Sequence, residues 1–96
     1  MWSQVVFIPG YVVITPGVAE ILDQLDEPMR VTGRLLVRHL LGDWGEVDTD
    51  DAAANDHALI TGERVLAAYR LPDGTRIWVI TEADRSVTTF LLPSEY

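Results

Sequence analysis

The sequence predicts one α+β domain, residues 1–96, in which two to three helices pack on a mostly antiparallel β-sheet. Segments with helical periodicity occupy the first half of the chain, and three β-rich segments at hairpin spacing occupy the second half. A length of 96 residues fits one domain with one core. Helices followed by a run of strands, rather than alternating with them, indicate the α+β class.

The N-terminal part of the chain predicts a short hairpin or one interrupted strand. Two runs of β-branched and aromatic residues, 5–8 and 11–14, flank the pair Pro9-Gly10. Such a pair suits a type II turn, because glycine tolerates positive φ. We expect this strand or hairpin to join a C-terminal three-stranded meander.

Two helices are predicted next. Thr15-Pro16 has the order of an N-cap followed by proline at the first helical position, and the apolar residues after it repeat at i, i+3, i+4 and i+7, which predicts a helix over 16–26. A second helix begins within a few residues of Pro28, with Thr32 as a candidate cap and Gly42 as its stop. Its predicted buried stripe consists of Leu36, Val37, Leu40 and Leu41.

An ordered loop over 42–48 and a third helix follow. The loop contains glycine, aspartate and one tryptophan, and we expect it to surround a buried Trp44. Asp48 or Thr49 is suited to cap the helix, which the pattern extends to about residue 59 before Gly62 stops it.

Three strands are predicted over 63–71, 75–82 and 86–92. The turn Leu71-Pro72-Asp73-Gly74-Thr75 is a strong hairpin signal, and the turn over 82–86 is polar and correctly spaced. In the middle strand both alternating sets of side chains are largely apolar, so we expect this strand to be central and covered on both faces.

Composition narrows the function classes. Seven basic against 15 acidic residues make a net charge of −8, which argues against direct binding of nucleic acid. The chain has no cysteine, which excludes disulfides and thiolate chemistry. The start Met1-Trp2-Ser3-Gln4 lacks the basic region of a signal peptide and no apolar run reaches membrane-spanning length, so we expect a cytoplasmic protein without a membrane segment.

Several motifs resemble one family of short bacterial proteins. They are Phe7-x-x-Gly10 with Thr15-Pro16-Gly17, Arg38-His39-x-x-Gly42-Asp43-Trp44-Gly45, Ala54-Asn55-Asp56, the run from Ile77 to Thr89, and Leu92-Pro93-Ser94-Glu95-Tyr96. The pattern spans about residues 7–96 and is similar to the family usually called plasmid-related protein, whose members are often labelled type I restriction endonuclease subunit M. The resemblance implies a place among mobile-element and defence genes, and it implies no molecular function.

Methyltransferase chemistry finds no support in the residues. None of the five prolines adjoins another, so the Asn/Asp-Pro-Pro-aromatic motif is missing, and no glycine-rich turn between a strand and a helix offers a cofactor cradle. We expect no cofactor.

The leading hypothesis for function rests on an acidic segment. Six carboxylates lie within 14 residues that contain no arginine or lysine, and they are Asp43, Glu46, Asp48, Asp50, Asp51 and Asp56. They would face a host defence complex with a basic surface, and the protein would act as a non-enzymatic inhibitor of anti-CRISPR or anti-restriction type. The competing interpretation is a solvated loop followed by a capped helix start.

A small metal-independent ribonuclease of the barnase, colicin and RelE-like group is the alternative. His39 would be the general base, and Arg85, Thr88 and Tyr69 would hold the phosphate or assist proton transfer. The simpler interpretation has His39 capping helix carbonyls or bonding the loop 42–45, and Arg85 pairing with Asp84 or a loop carboxylate. A third possibility is a structural accessory protein whose acidity serves solubility alone.

A metal site is not expected. The only conceivable ligands are His39 and His57 with Asp43 and Asp56, and these residues lack a recognised ligand spacing.

Overall fold

A computed structural model of the protein describes residues 4–96, and residues 1–3, on which part of the signal-peptide expectation rests, lie outside the described residues. Within the described part the α+β class is confirmed. The elements in chain order are β1 (Tyr11–Ile14), α1 (Pro16–Leu22), α2 (Pro28–Leu40), α3 (Thr49–Thr61), β2 (Val65–Arg70), β3 (Arg76–Thr81), β4 (Val87–Leu91) and a 3₁₀ turn (Pro93–Glu95).

The four strands form one sheet in the order β1-β4-β3-β2. Strands β2, β3 and β4 make the predicted antiparallel meander. Strand β1 pairs with β4 in parallel, from Tyr11 opposite Val87 to Ile14 opposite Phe90, so the sheet is mixed. The prediction of a mostly antiparallel sheet is therefore slightly off, because β1 reaches β4 by a long connection through the helices rather than by a turn.

An N-terminal hairpin does not form. Residues 5–8 adopt no strand, and the N–H of Val6 donates instead to the C=O of Leu40 at 2.8 Å. Gly10 has a φ of 67°, and Tyr11 then donates to the C=O of Ser86 at 2.9 Å. Pro9-Gly10 is thus a bend that brings the chain to β4, and a single strand over Tyr11–Ile14 forms in place of the predicted hairpin or interrupted strand.

The core lies between one face of the sheet and all three helices. Alternate residues of the strands, including Ala67, Val79 and Phe90, share this face because they stand opposite one another in the registers. They pack with residues of the three helices, among them Val18 of α1 and Ala58 of α3. The central position predicted for the middle strand is confirmed, since four of the six residues of β3 are buried.

The helix boundaries differ from the predicted ones at two places. Helix α1 ends at Leu22 rather than near 26, because Gln24 and Leu25 donate to carbonyls three residues back, which tightens the last turn. Thr32 does not cap α2. It lies inside that helix, and its hydroxyl donates to the C=O of Pro28 at 2.9 Å.

The buried stripe of α2 also differs from the prediction. Leu35 and His39 are its buried residues, whereas Val37 and Leu41 are exposed. Leu36 and Leu40 are half-buried. The helix is rotated about its axis relative to the expectation, which carries His39 into the core.

The loop after α2 surrounds Trp44 as predicted, and this side chain is only 5% exposed. Gly45 forms a bridge with Ala68, so the loop covers the outer edge of β2. Asp48 caps α3 by accepting from the N–H of Asp51 at 2.7 Å, and Gly62 ends the helix with a φ of 81°. Helix α3 therefore has the predicted caps and extends two residues beyond the predicted end.

Candidate functional site

The acidic segment runs from the end of α2, along the outer edge of β2, into the first two turns of α3. All six of its carboxylate side chains belong to exposed residues. Two of them are paired with arginine: Asp43 with Arg38, at 2.7 Å, and Glu46 with Arg70, at 3.0 Å. The hydrogen bond from Arg38 lowers the pKa of Asp43. These two carboxylates therefore contribute less to a negative surface than the sequence count suggests.

The other four carboxylates have no arginine partner among residues 4–96. Asp48 caps α3, and Asp56 accepts a hydrogen bond from the indole N–H of Trp44 at 2.9 Å. Neither contact removes the negative charge. Asp50 and Asp51 lie in the first turn of α3, where the helix dipole stabilises acidic side chains.

A hollow of about 350 Å³ lies beside this segment. Glu46, Asp48 and Asp51 contribute to its lining, together with the apolar side chains of Leu66 and Trp78 and the basic side chain of Arg76. The carboxylates and the aromatic side chain suit the apolar stem and cationic head of an arginine or lysine, whereas the charge of Arg76 opposes a second cation.

The residues of the ribonuclease hypothesis lie partly in one cluster behind α2. His39 is 0% exposed, and its Nε2 lies 2.9 Å from the hydroxyl of Thr81. The Thr81 hydroxyl lies 2.7 Å from that of Thr88, which donates to the C=O of Pro9 at 2.8 Å. A continuous hydrogen-bonded chain thus links α2, β3, β4 and the segment before β1.

The direction of this chain defines the protonation of His39. A carbonyl can only accept, so Thr88 donates its single proton to Pro9 and must accept from Thr81. Thr81 then has no proton left for His39, and Nε2 of His39 must donate. His39 is therefore protonated on Nε2, while its buried Nδ1 has no hydrogen-bond partner.

His39 is a neutral core residue, and its side chain neither caps α2 nor hydrogen-bonds the loop 42–45, as the simpler sequence interpretation expected. Burial, and next the positive charge of Arg85, lower the pKa of His39 to about 4. The ring does not cap α2. Its edge contacts Phe7 and Trp44, with centroids 5.2 and 5.6 Å away.

Arg85 and Tyr69 also have structural partners. Arg85 has a φ of 60° and donates to the carbonyls of Glu63, Glu82 and Ala58, rather than pairing with Asp84. Its guanidinium lies over the ring of Phe7, 5.4 Å from the centroid. The Tyr69 hydroxyl donates to the C=O of Asp43 at 2.5 Å, and burial raises the pKa of Tyr69. His39, Thr88 and Arg85 thus lie in one region of the core, whereas Tyr69 hydrogen-bonds the loop after α2.

Two residues of these networks were missed in the sequence. Thr81 joins His39 to Thr88, and the signal for it is its core-facing position in the alternation of β3. Asn55 on α3 is buried and bonds both the N–H and the C=O of Leu66 on β2. A buried amide placed opposite a strand carries no local sequence signal.

The described part of the chain was also compared with what a metal site and a membrane-spanning helix require. Among residues 4–96, no three histidine or acidic side chains are grouped closely enough to hold a metal ion, and the proposed set of His39, His57, Asp43 and Asp56 does not assemble. None of the helices there has the length and apolar character needed to cross a membrane.

Comparison with known proteins produced no relatives. No protein-family model, no curated protein and no solved structure matches this chain.

Proposed function

We propose that this chain is a non-enzymatic binding protein that inhibits a host defence complex, of anti-CRISPR or anti-restriction type, through its acidic segment. The observation that carries the proposal is the hollow beside α3, in which Asp48 and Asp51, which have no arginine partner among residues 4–96, lie beside Leu66 and Trp78, with Arg76 also in the lining. A basic side chain that normally contacts nucleic acid fits this combination of charge and apolar lining. The resemblance to mobile-element proteins supports the choice of a defence complex as the target.

Electrostatics add to this support. The chain carries −8 overall, and Asp48, Asp50, Asp51 and Asp56 have no arginine partner among residues 4–96. A negative surface steers a basic partner toward itself and speeds association, most strongly at low salt. Binding of this kind requires no catalytic group.

The test uses purified type I restriction and CRISPR effector complexes, with DNA cleavage as the readout. We expect the wild-type chain to inhibit at least one complex, and inhibition to weaken as salt rises. The variant Asp48→Asn/Asp50→Asn/Asp51→Asn should inhibit less, because three charges disappear while asparagine still caps α3. The matched control Glu20→Gln/Asp23→Asn/Asp26→Asn loses three exposed charges elsewhere and should inhibit like the wild type.

Two results would contradict the proposal. One is equal loss of inhibition in both triple variants, which would assign the effect to net charge alone. The other is the absence of inhibition by the folded wild-type chain in all complexes.

A metal-independent ribonuclease is the second candidate, and it is favoured by one observation: His39 is linked to Thr88 through Thr81 and packs on Phe7, which Arg85 also contacts. Access is the obstacle: His39 is fully buried, and its Nε2 is committed to Thr81. We expect no RNA cleavage in the presence of a metal chelator. Reproducible cleavage that disappears in both His39→Gln and Arg85→Gln would favour this candidate over the inhibitor.

A further inference from the structure

The two edges of the sheet are treated differently by the fold. The outer edge of β2 is covered by the loop after α2, because Glu46 donates to the C=O of Ala68 at 2.7 Å and Ala68 donates to the C=O of Trp44 at 3.1 Å. Strand β1 is the other edge, and nothing within residues 4–96 pairs with its outer side. Within the described part of the chain, β1 is therefore the one open edge of the sheet.

The hydrogen-bond pattern shows which groups are free at this edge. Tyr11 donates to Ser86 at 2.9 Å and Thr15 donates to Phe90 at 3.0 Å, so the odd-numbered residues of this stretch point their backbone groups toward β4. In a parallel pairing the intervening residues point the opposite way. The N–H and C=O of Val12 and of Ile14 are therefore directed outward and unpaired.

The side chains around this edge are apolar and exposed. Tyr11 is 81% exposed and the other three residues of β1 are 40–43% exposed, and none of the four is charged. Met29 is 86% exposed and lines a hollow together with Ile14. Together these five side chains present roughly 600 Å², somewhat less than the about 800 Å² that one partner typically buries in a stable interface.

We propose that a second copy of this chain pairs with β1, in an antiparallel and twofold-symmetric manner, to form one continuous eight-stranded sheet. The outward groups define the register. Val12 of each copy exchanges both backbone hydrogen bonds with Ile14 of the other, and the two Val13 residues face each other across the twofold axis. The pairing makes four backbone hydrogen bonds and brings no charged residues of β1 together.

Three features favour a second copy as the occupant. First, an isologous pair uses the β1 edge of each chain, the one edge left open by residues 4–96, so assembly closes at two copies. Second, Pro9 and Pro16 bound β1 to a short segment and prevent a longer, aggregation-prone edge. Third, the four unpaired carboxylates of the acidic segment lie toward β2, at the opposite end of the sheet, where they repel a second chain least, and Asp23 is the acidic residue that lines the hollow with Ile14 and Met29.

The dimer does not depend on the proposed inhibitory function. It would place two acidic segments at the two ends of one sheet. The two proposals differ in their salt dependence: screening should strengthen the dimer, whereas it should weaken binding of a basic partner.

Sedimentation equilibrium on the full chain tests the dimer. We expect a mass twice the 10.7 kDa of one chain at high concentration, with dissociation on dilution. Val13→Lys places two like charges together at the twofold axis and should raise the dissociation constant at least about tenfold. Ile60→Lys is the matched control, because Ile60 is 85% exposed on α3, and it should dimerise like the wild type.

Amide hydrogen exchange of the wild type provides a test that needs no variant to fold. The amides of Val12 and Ile14 should exchange rapidly in dilute monomer and slowly in the dimer, whereas those of Tyr11 and Val13 should be protected in both. The inference is overturned by a wild type that stays monomeric at every concentration, by a dimer in which Val12 and Ile14 remain unprotected, or by equal weakening in Ile60→Lys. If the chain stays monomeric and binds an extended apolar peptide at β1, the edge has a different partner, and the proposed dimer is overturned.

Discussion

Acidification from pH 7 to pH 5 should destabilise the fold through His39. In the folded chain burial, together with the charge of Arg85, lowers the pKa of His39 to about 4, whereas an unfolded histidine has a pKa near 6.5. Between these two values the unfolded state binds a proton and the folded state does not. Stability is therefore unaffected by His39 above about pH 6.5 and falls as the pH drops toward 4.

The size of the effect follows from the two pKa values. Each pH unit within the window costs about 1.4 kcal/mol, so the change from pH 7 to pH 5 should lower the free energy of unfolding by about 2 kcal/mol. The carboxyl groups change the free energy of unfolding mainly at lower pH. Hydrogen bonds lower the pKa values of four of them, and their contribution is lost chiefly below about pH 5. These four are Asp43, Asp73, Asp84 and Glu95.

Urea unfolding followed by tryptophan fluorescence at pH 5, 6 and 7 measures this slope. The chain has only two histidines, so two variants separate their contributions. His57→Gln should keep the pH dependence, because His57 is exposed. His39→Gln retains an N–H donor for Thr81 but does not titrate, so its stability should vary much less over this range.

Two outcomes would show that His39 is not a neutral core residue. Wild-type stability that is constant between pH 7 and pH 5 would mean that the ring is not held neutral in the core. A pH dependence of stability that disappears in His57→Gln would mean that His57, and not His39, causes it. If His39→Gln does not fold, the NMR titration of the His39 ring in the wild type decides, and a pKa near 6.5 would contradict the structure.

Three further substitutions test the packing around this cluster. Thr81→Val leaves a buried imidazole N–H without an acceptor and should cost about 1–3 kcal/mol in chemical denaturation, whereas Thr89→Val, on the opposite face of the sheet, should cost much less. Trp44→Ala should cost about 3–5 kcal/mol, and an unchanged melting temperature would show that the indole does not belong to the core. Gly45→Ala should destabilise by more than about 1 kcal/mol, because the residue has a φ of 71° and an added methyl group would collide with a backbone carbonyl of β2. Gly33→Ala, inside α2 with open space around it, should instead be neutral or stabilising, and equal losses in both glycine variants would contradict this explanation.

Local sequence patterns were sufficient to predict the parts of the fold that depend on neighbouring residues. The turn around Asp73-Gly74, the cap at Asp48 and the stop at Gly62 each act within a few residues, so the meander and α3 could be predicted closely. The burial of Trp44 followed from an aromatic residue held between two glycines. The carboxylates of the acidic segment were also visible, since their spacing is a property of the chain alone.

The rotation of α2 and the pairing of β1 depend instead on packing between distant segments. Apolar residues occupy two adjacent faces of α2, so the helical period allowed more than one buried stripe, and packing on the sheet selected Leu35 and His39. The parallel pairing joins Tyr11 to Val87, and no local signal specifies a partner so distant in the chain. For the same reason, Arg38 and Arg70 neutralise two of the six carboxylates in a way that could not be read from the sequence.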